Sequence, residues 1–330
     1  MKIIVTGCYG FIGFNFVNYI LKNLSTDFKI IGIDNLNNSY SQLNYEKYKT
    51  DEFTFVNKDI NDIENIEDKL FTDVDLIINF AAESHVDTSI YNPKAFIHSN
   101  VSGVQSLLNF ARLNSIPKFL QVSTDEVYGS TEDIFFKEES KLNPSSPYSA
   151  SKASADMIVL SYMKTFDMEI TTVRPANNYG PFQQPEKFIP FSISNLLQEK
   201  KIEIYGEGKN IRHWLFVEDT IESILTIINT EMGNEIYNLG SGEYFSNNEV
   251  ASKLLSIGGY ENEMIKYIQD RPGHDFKYAT NCEKIKTLGW KPKYSFEDGL
   301  RKTYEWYIAN QDWLLFDISK IIENREYRFN

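Results

Sequence analysis

The stretch "VTGCYGFIG", residues 5–13, decides the fold. It leaves an apolar, β-branched run, "KIIVTG" (2–7), and enters a segment over 11–23 with apolar residues three and four apart. Gly7, Gly10 and Gly13 are spaced by three. Glycine permits the tight turn, lets backbone approach a pyrophosphate, and allows close helix–strand packing. The helix N-terminus, at Phe11 and Ile12, adds a partial positive charge for phosphate oxygens.

The second and third apolar runs extend this reading. "KIIGIDN" (29–35) ends in Asp34 and Asn35, about 20 residues past the glycine turn, where a carboxylate accepts ribose hydroxyls. A carboxylate there repels a 2′-phosphate, so the spacing favours NAD over NADP. "EFTFVNKDI" (52–60) ends in Asp59 and Ile60, placed to meet an adenine edge. Three more runs follow: "DLIINFAA" (75–82), "KFLQVST" (118–124) and "EITTVRPA" (169–176). Their near-continuous hydrophobicity predicts strands covered on both faces. Helical periodicity lies between them over 11–23, weakly over 63–70, and at length over 93–113 and 148–166. Strand alternating with helix predicts a doubly wound, parallel α/β sheet. A closed barrel of such units is the rival, and the glycine spacing favours the open sheet.

After residue 176 the elements shorten and Pro, Gly and aromatics become frequent. We expect residues 1–176 to form the dinucleotide domain and 177–330 mainly a smaller substrate-binding lobe. "EIYNLG" (235–240) is apolar enough to return to the main sheet as a last strand.

The chain of 330 residues carries 33 basic and 46 acidic residues, a net charge of −13. That balance, with no dense basic patch, argues against nucleic acid. Only Cys8 and Cys282 are present, too few for a disulfide framework or a zinc site, and no metal is expected. No apolar run approaches the ~20 residues of a membrane span. The opening strand pattern leaves no room for a secretory signal, so a cytoplasmic location is expected.

Two further stretches carry chemistry. In "YSASK", Tyr148 and Lys152 stand at i and i+4, on one helix face. A neighbouring ammonium favours the phenolate of a tyrosine whose ordinary pKa is ~10. In "STDEVYG" (123–129), Asp125 and Glu126 follow an apolar run. Two adjacent carboxyls in a closed site push their pKa values apart, so that one stays protonated. On a solvated loop the same pair would have no such role, and the Tyr–Lys pair alone could be an ordinary surface pair.

"TGxxGxxG" with "YxxxK" resembles the extended short-chain dehydrogenase/reductase family over essentially the whole chain. Thr124-Asp125-Glu126 resembles the signature of its nucleotide-sugar 4,6-dehydratases. The resemblance implies a tightly held NAD, regenerated each turnover, and a nucleotide-diphosphate hexose as substrate. It makes Tyr148 the base for C4 oxidation, helped by Lys152 and Thr124, Glu126 the C5 base and Asp125 the C6 acid. It places Ala81, Ala82, Ser84, Asn100, Ser123 and Asn177 with the cofactor. With the substrate it places Ser84, His85, Thr124, Asn178, Lys187, Phe188, Asn247 and His274. Tyr205 would stack on a pyrimidine base, and Arg212, Arg271 and His274 would meet the diphosphate or a uridine-type ribose. It further implies deoxysugar biosynthesis of the rhamnose type and a homodimer joined by a four-helix interface from 93–113 and 148–166. Thr88 stands where an Arg is usual in "HVDxSI", and "DNLNNSYSQLN" is not the usual wording after the second strand. dTDP and UDP, and glucose and its N-acetylamino analogue, remain open. A sister 4-epimerase or decarboxylase needs no acid at C6. A non-catalytic NAD-bound sensor has no use for Tyr148, Lys152, Asp125 and Glu126 together.

Overall fold

The computed structural model describes residues 1–24, 27–64, 69–230 and 232–326. The apolar runs form β1 (Lys2–Thr6), β2 (Lys29–Asp34), β3 (Thr54–Asn57), β4 (Leu76–Asn79), β5 (Lys118–Val122) and β6 (Glu169–Pro175). All pair in parallel, and β10 (Ile236–Leu239) joins β6 at the edge, giving the order β10-β6-β5-β4-β1-β2-β3. Side chains alternate faces along a strand. Accordingly, Ile3 and Val5 pack in one apolar cluster and Ile4 in another. The first cluster includes α1 (Phe11–Asn23), the second the two long helices of the other face. Covering both faces of β1 explains its unbroken hydrophobicity. The predicted doubly wound sheet is therefore the observed one.

The order reverses between β1 and β4, since β2 and β4 lie on opposite sides of β1. Crossovers then diverge from that point and open a crevice beyond the strand C-termini. The chain over 93–113 is not one regular helix. α4 (Pro93–Ile97) runs through a π-helical turn, His98–Ser102, into α5 (Gly103–Leu113). α2 (Ser39–Tyr48) and α3 (Val86–Tyr91) precede these, and α6 spans Pro147–Phe166. Ser146 and Ser149 form a reciprocal N-terminal cap on α6, with Pro147 in its first turn. The weak helical pattern over 63–70 falls largely on 65–68, outside the described residues.

Beyond β6, short strands β7 (Asn177–Tyr179), β9 (Ile211–Phe216) and β11 (Tyr244–Ser246) form one small sheet. β8 (Ile202–Tyr205) and β12 (Ile265–Ile268) form another. An aromatic-rich cluster, with Trp214, Phe296, Tyr307 and Trp313, binds this lobe together. Among the described residues no helix is long and apolar enough to cross a membrane.

Candidate active site

The first cleft is lined by Gly7, Gly10, Phe11, Ile12 and Gly13 at the β1–α1 turn. Gly7 has φ +63°, where a side chain is strained. A Cβ on Gly13 would lie 2.2 Å from the Gly7 carbonyl oxygen, so the third glycine is fixed by helix–strand packing. Gly10 differs: a Cβ there would meet only the Gly7 oxygen, at 3.3 Å. Its bare backbone keeps open the space over the helix N-terminus. These three positions fit a bound pyrophosphate.

Asp34 and Asn35 line the same cleft at the end of β2. The Asp34 carboxylate accepts from the backbone N–H groups of Tyr9 (3.0 Å) and Leu36 (2.9 Å). Burial raises its pKa, and those two donors oppose the rise. Each oxygen retains a lone pair for a ribose hydroxyl. Asp59 accepts from Asn61 and from the Asn35 amide, at 2.7 Å for the latter. Burial would raise its pKa, but these bonds hold it below the ordinary value. Ile60 lies beside it, against Gly103, where a Cβ would come within 2.6 Å of the Ile60 Cδ1.

Ala81, Ala82 and Ser84 line the cleft on the loop after β4. Asn100 does not reach it. From the π turn, its carbonyl accepts from the Glu83 N–H (2.8 Å) and its amide donates to the Glu83 carbonyl and the Ser151 hydroxyl. Asn100 thus clamps the loop rather than facing a ligand, and the π turn aims it there.

Ser123, Tyr148 and Lys152 close the inner end. Lys152 donates to the Val122 carbonyl at 2.7 Å, and burial pulls its pKa down to about 8, with Asp156 opposing. Burial also pushes the Tyr148 phenol well above its ordinary value, Glu126 adds to the rise, and the Thr124 hydroxyl opposes it. The expected lowering of Tyr148 by Lys152 is therefore absent from this geometry, because the ammonium is turned to Val122. Behind the pair, Asp156 accepts from the Arg174 guanidinium at 2.9 Å, both nearly inaccessible.

The second cleft shares Ser84, His85, Glu186 and Lys187 with the first, so the two are continuous. Glu126, Phe188, Tyr205, Arg212, Asn247, Arg271 and His274 line it. Thr124 and Asp125 lie buried where β5 ends, and the Thr124 side chain caps the 3₁₀ turn Asp125–Tyr128. Asp125 is 2 % exposed, and its Oδ2 is buried without a hydrogen-bond partner. Burial, then Glu126, push its pKa well above the carboxylate range, against Arg212. Burial raises Glu126 too, but Arg271, Arg212 and Lys187 all oppose it. The environments of the two adjacent carboxyls therefore differ. Burial and Glu126 favour the neutral form of Asp125, whereas Glu126 faces three cations.

The cationic wall is ordered by contacts distant in sequence. Arg271 pairs with Asp87 at 2.8 Å, and the Tyr205 hydroxyl donates to the other Asp87 oxygen at 3.0 Å. Arg212 is held by the carbonyls of Ile211, Asp275 and Phe276. Lys187 donates to the Ser84 carbonyl at 2.6 Å. His274 bonds Asp270 at 2.6 Å, and burial pulls its pKa down to about 4. The sequence expectations need two corrections on β7. Asn178 lines neither cleft: it accepts from Thr220 at 2.7 Å and donates to the Ala176 carbonyl. Asn177, read with the cofactor, lines the second cleft with its Oδ1 buried and unpartnered. Asp87, Glu186 and Tyr278 also line that cleft and escape the sequence reading. Tyr278 lies in "DRPGHDFKY", four residues past His274, so reading that stretch to its end would have reached it.

A doubly wound sheet, a phosphate-sized glycine turn and a buried Tyr–Lys pair beside unequal carboxyls define a dinucleotide-binding α/β enzyme. The chain belongs to the GDP-mannose 4,6 dehydratase family, whose profile matches residues 4–303. It is 42 % identical to the low-salt glycan biosynthesis protein Agl12 of Haloferax volcanii, across 94 % of this chain and 100 % of that one. It is 39 % identical to dTDP-glucose 4,6-dehydratase of Escherichia coli, across 95 % of this chain and 94 % of that one. DesIV, a dTDP-glucose 4,6-dehydratase of Streptomyces venezuelae solved with NAD bound, superposes with a TM-score of 0.89. There the identity is 37 %, covering 95 % of this chain and 98 % of that one. The family read from the motifs is borne out.

Proposed function

We propose that this protein is an NAD-dependent nucleotide-sugar 4,6-dehydratase whose substrate is dTDP-glucose. One observation carries the reading: Asp125 is a buried carboxyl whose Oδ2 has no partner among the described residues, next to Glu126 and the Tyr148 site, where burial favours its neutral form. Oxidation and reduction alone need no such acid.

Bound NAD would supply the redox chemistry, reversible hydride transfer with the sugar. The glycine turn, Asp34, Asp59 and Lys152 would hold it, and this chain's residues otherwise handle protons. Tyr148 takes the C4 hydroxyl proton. Glu126 removes the C5 proton, made acidic by the C4 ketone, and gives a proton back to C5 when hydride adds at C6. Asp125 gives its proton to the departing C6 hydroxyl, which leaves as water. Arg212, Arg271 and Lys187 face the diphosphate. Ser84, His85, Thr124 and Asn177 surround the sugar, and Phe188, Tyr205, Asn247 and His274 surround the nucleoside.

The thymidine reading is supported by full-length relatives at 38 and 39 % identity that carry the dTDP-glucose 4,6-dehydratase name. Solved 4-epimerases of UDP-sugars share the fold at 27 and 28 % identity. Because oxidation and reduction regenerate NAD within each cycle, it should copurify with the protein. A homodimer is supported by Tyr91, Ile97, Leu113, Met157 and Phe166, all exposed on or beside the helices of 93–113 and 148–166.

Incubation with dTDP-glucose and UDP-glucose, followed by mass spectrometry, tests the reading. Loss of one water from dTDP-glucose is expected. An unchanged mass, or an isomer of equal mass, overturns it.

A further inference from the structure

We propose that Tyr278, Asp275 and Ser145 form the path by which Glu126 exchanges the C5 proton with solvent. This rests on the dehydratase reading above, in which Glu126 is the C5 base. Glu126 Oε2 lies 3.3 Å from the Tyr278 hydroxyl, which in turn lies 2.6 Å from Asp275 Oδ2. The Ser145 hydroxyl donates to the same Asp275 oxygen. Tyr278 and Asp275 are 3 % and 8 % exposed, whereas Ser145 is exposed. The contacts therefore run unbroken from the carboxyl beside the substrate to the surface.

A phenol carries one hydrogen and two lone pairs. Tyr278 therefore donates to only one of its two carboxylates at a time. While Glu126 is ionised, the hydrogen can lie toward it, and the Ser145 hydroxyl still serves Asp275. Once Glu126 holds a proton, its own O–H donates to the Tyr278 oxygen, and the Tyr278 hydrogen lies toward Asp275. Transfer then moves one proton at each link. The Glu126 O–H breaks as an O–H forms at Tyr278, and the original Tyr278 O–H breaks as one forms at Asp275. The Ser145 hydroxyl then turns outward, its oxygen accepts the proton from Asp275, and its own hydrogen leaves to water. No electron pair changes its atom, and the reverse sequence delivers a solvent proton to Glu126.

The chain is also held in register. The Arg212 guanidinium lies 4.5 Å from the Tyr278 ring centroid, and it and Asn210 both donate to the Asp275 carbonyl. Tyr278 and Glu126 both line the second cleft, so the path begins at the wall of the substrate site.

The test is dehydration in D2O, with the C5 deuterium of the product read by NMR. For the unaltered protein, we expect a product largely deuterated at C5. Tyr278→Phe keeps the ring under Arg212 and removes only the hydroxyl. In it Glu126 retains the substrate's own proton and returns it, so C5 deuterium falls several-fold per turnover while dehydration continues more slowly. Asp275→Asn, which keeps the carbonyl held by Arg212, shows the same fall and serves if Tyr278→Phe does not fold. Unaltered C5 deuterium in a folded variant, or protium at C5 in the unaltered protein's product, overturns the path. Failure of the unaltered protein to release water overturns the dehydratase reading instead.

Discussion

Asp125→Asn separates the acid from everything else its position does. The amide keeps the shape of the carboxyl, and little is lost locally. Among the described residues, Asp125 Oδ1 accepts from the Thr124 hydroxyl at 3.4 Å and Oδ2 has no partner. What disappears is the proton that burial and Glu126 hold on the group. A positioned general acid is worth ~10²–10⁴-fold in rate, or about 3–5 kcal/mol of barrier. Dehydration should slow by that factor. C4 oxidation should persist, because in that step the proton goes to Tyr148 and Asp125 transfers none. Reduced cofactor should therefore build up on the protein after mixing with substrate, visible by its absorbance, while mass spectrometry shows the delayed loss of water. Stability should move the other way. A carboxyl whose folded pKa lies above its unfolded 3.8 contributes stability at low pH that is lost as pH rises through the folded value. At neutral pH the variant should melt above the parent, and the difference should close as pH falls toward the unfolded value. Dehydration within ~3-fold of the parent, against the ~10²-fold minimum for a general acid, would refute the reasoning.

Further outcomes follow from the same geometry. Tyr148→Phe should show no reduced cofactor at all, since the C4 hydroxyl proton has no acceptor, and this absorbance trace distinguishes it from Asp125→Asn. Glu126→Gln should accumulate reduced cofactor and also lose deuterium exchange at C5, read by NMR. Gly13→Ala places a Cβ 2.2 Å from the Gly7 oxygen, so recovered NAD per protein should drop sharply, measured after denaturation. His213 accepts from the Gly242 N–H at 2.8 Å, and burial pulls its pKa from 6.5 to about 3. A depressed base contributes stability above its unfolded pKa that is lost as pH falls. Between those values the protein should lose on the order of 4 kcal/mol through this group. Urea titrations of the parent and His213→Asn across that window check the slope, which should flatten in the variant.

The sequence alone determined the features that depend on neighbours a few residues apart. Apolar runs covered on both faces gave the parallel sheet, because burial of alternating side chains is written directly into the strand. Three-residue glycine spacing placed the phosphate turn, and four-residue spacing put Tyr148 and Lys152 on one helix face. Adjacency alone put Asp125 beside Glu126. Tertiary structure decided the rest. Asn177 lines the second cleft and Asn178 lines neither because consecutive strand residues face opposite ways, and the packing of β7 against Thr220 selects the face. Lys152 turns to the Val122 carbonyl because its burial leaves that acceptor within reach. Asp87 meets Arg271, and Glu126 meets Tyr278, across chain separations of 184 and 152 residues. No local pattern encodes those pairs. They exist because the loop after β4, the turn after β5 and the stretch after β12 converge beyond the same sheet edge. The charge state of each carboxyl depends on that convergence, since burial and nearby cations set its pKa.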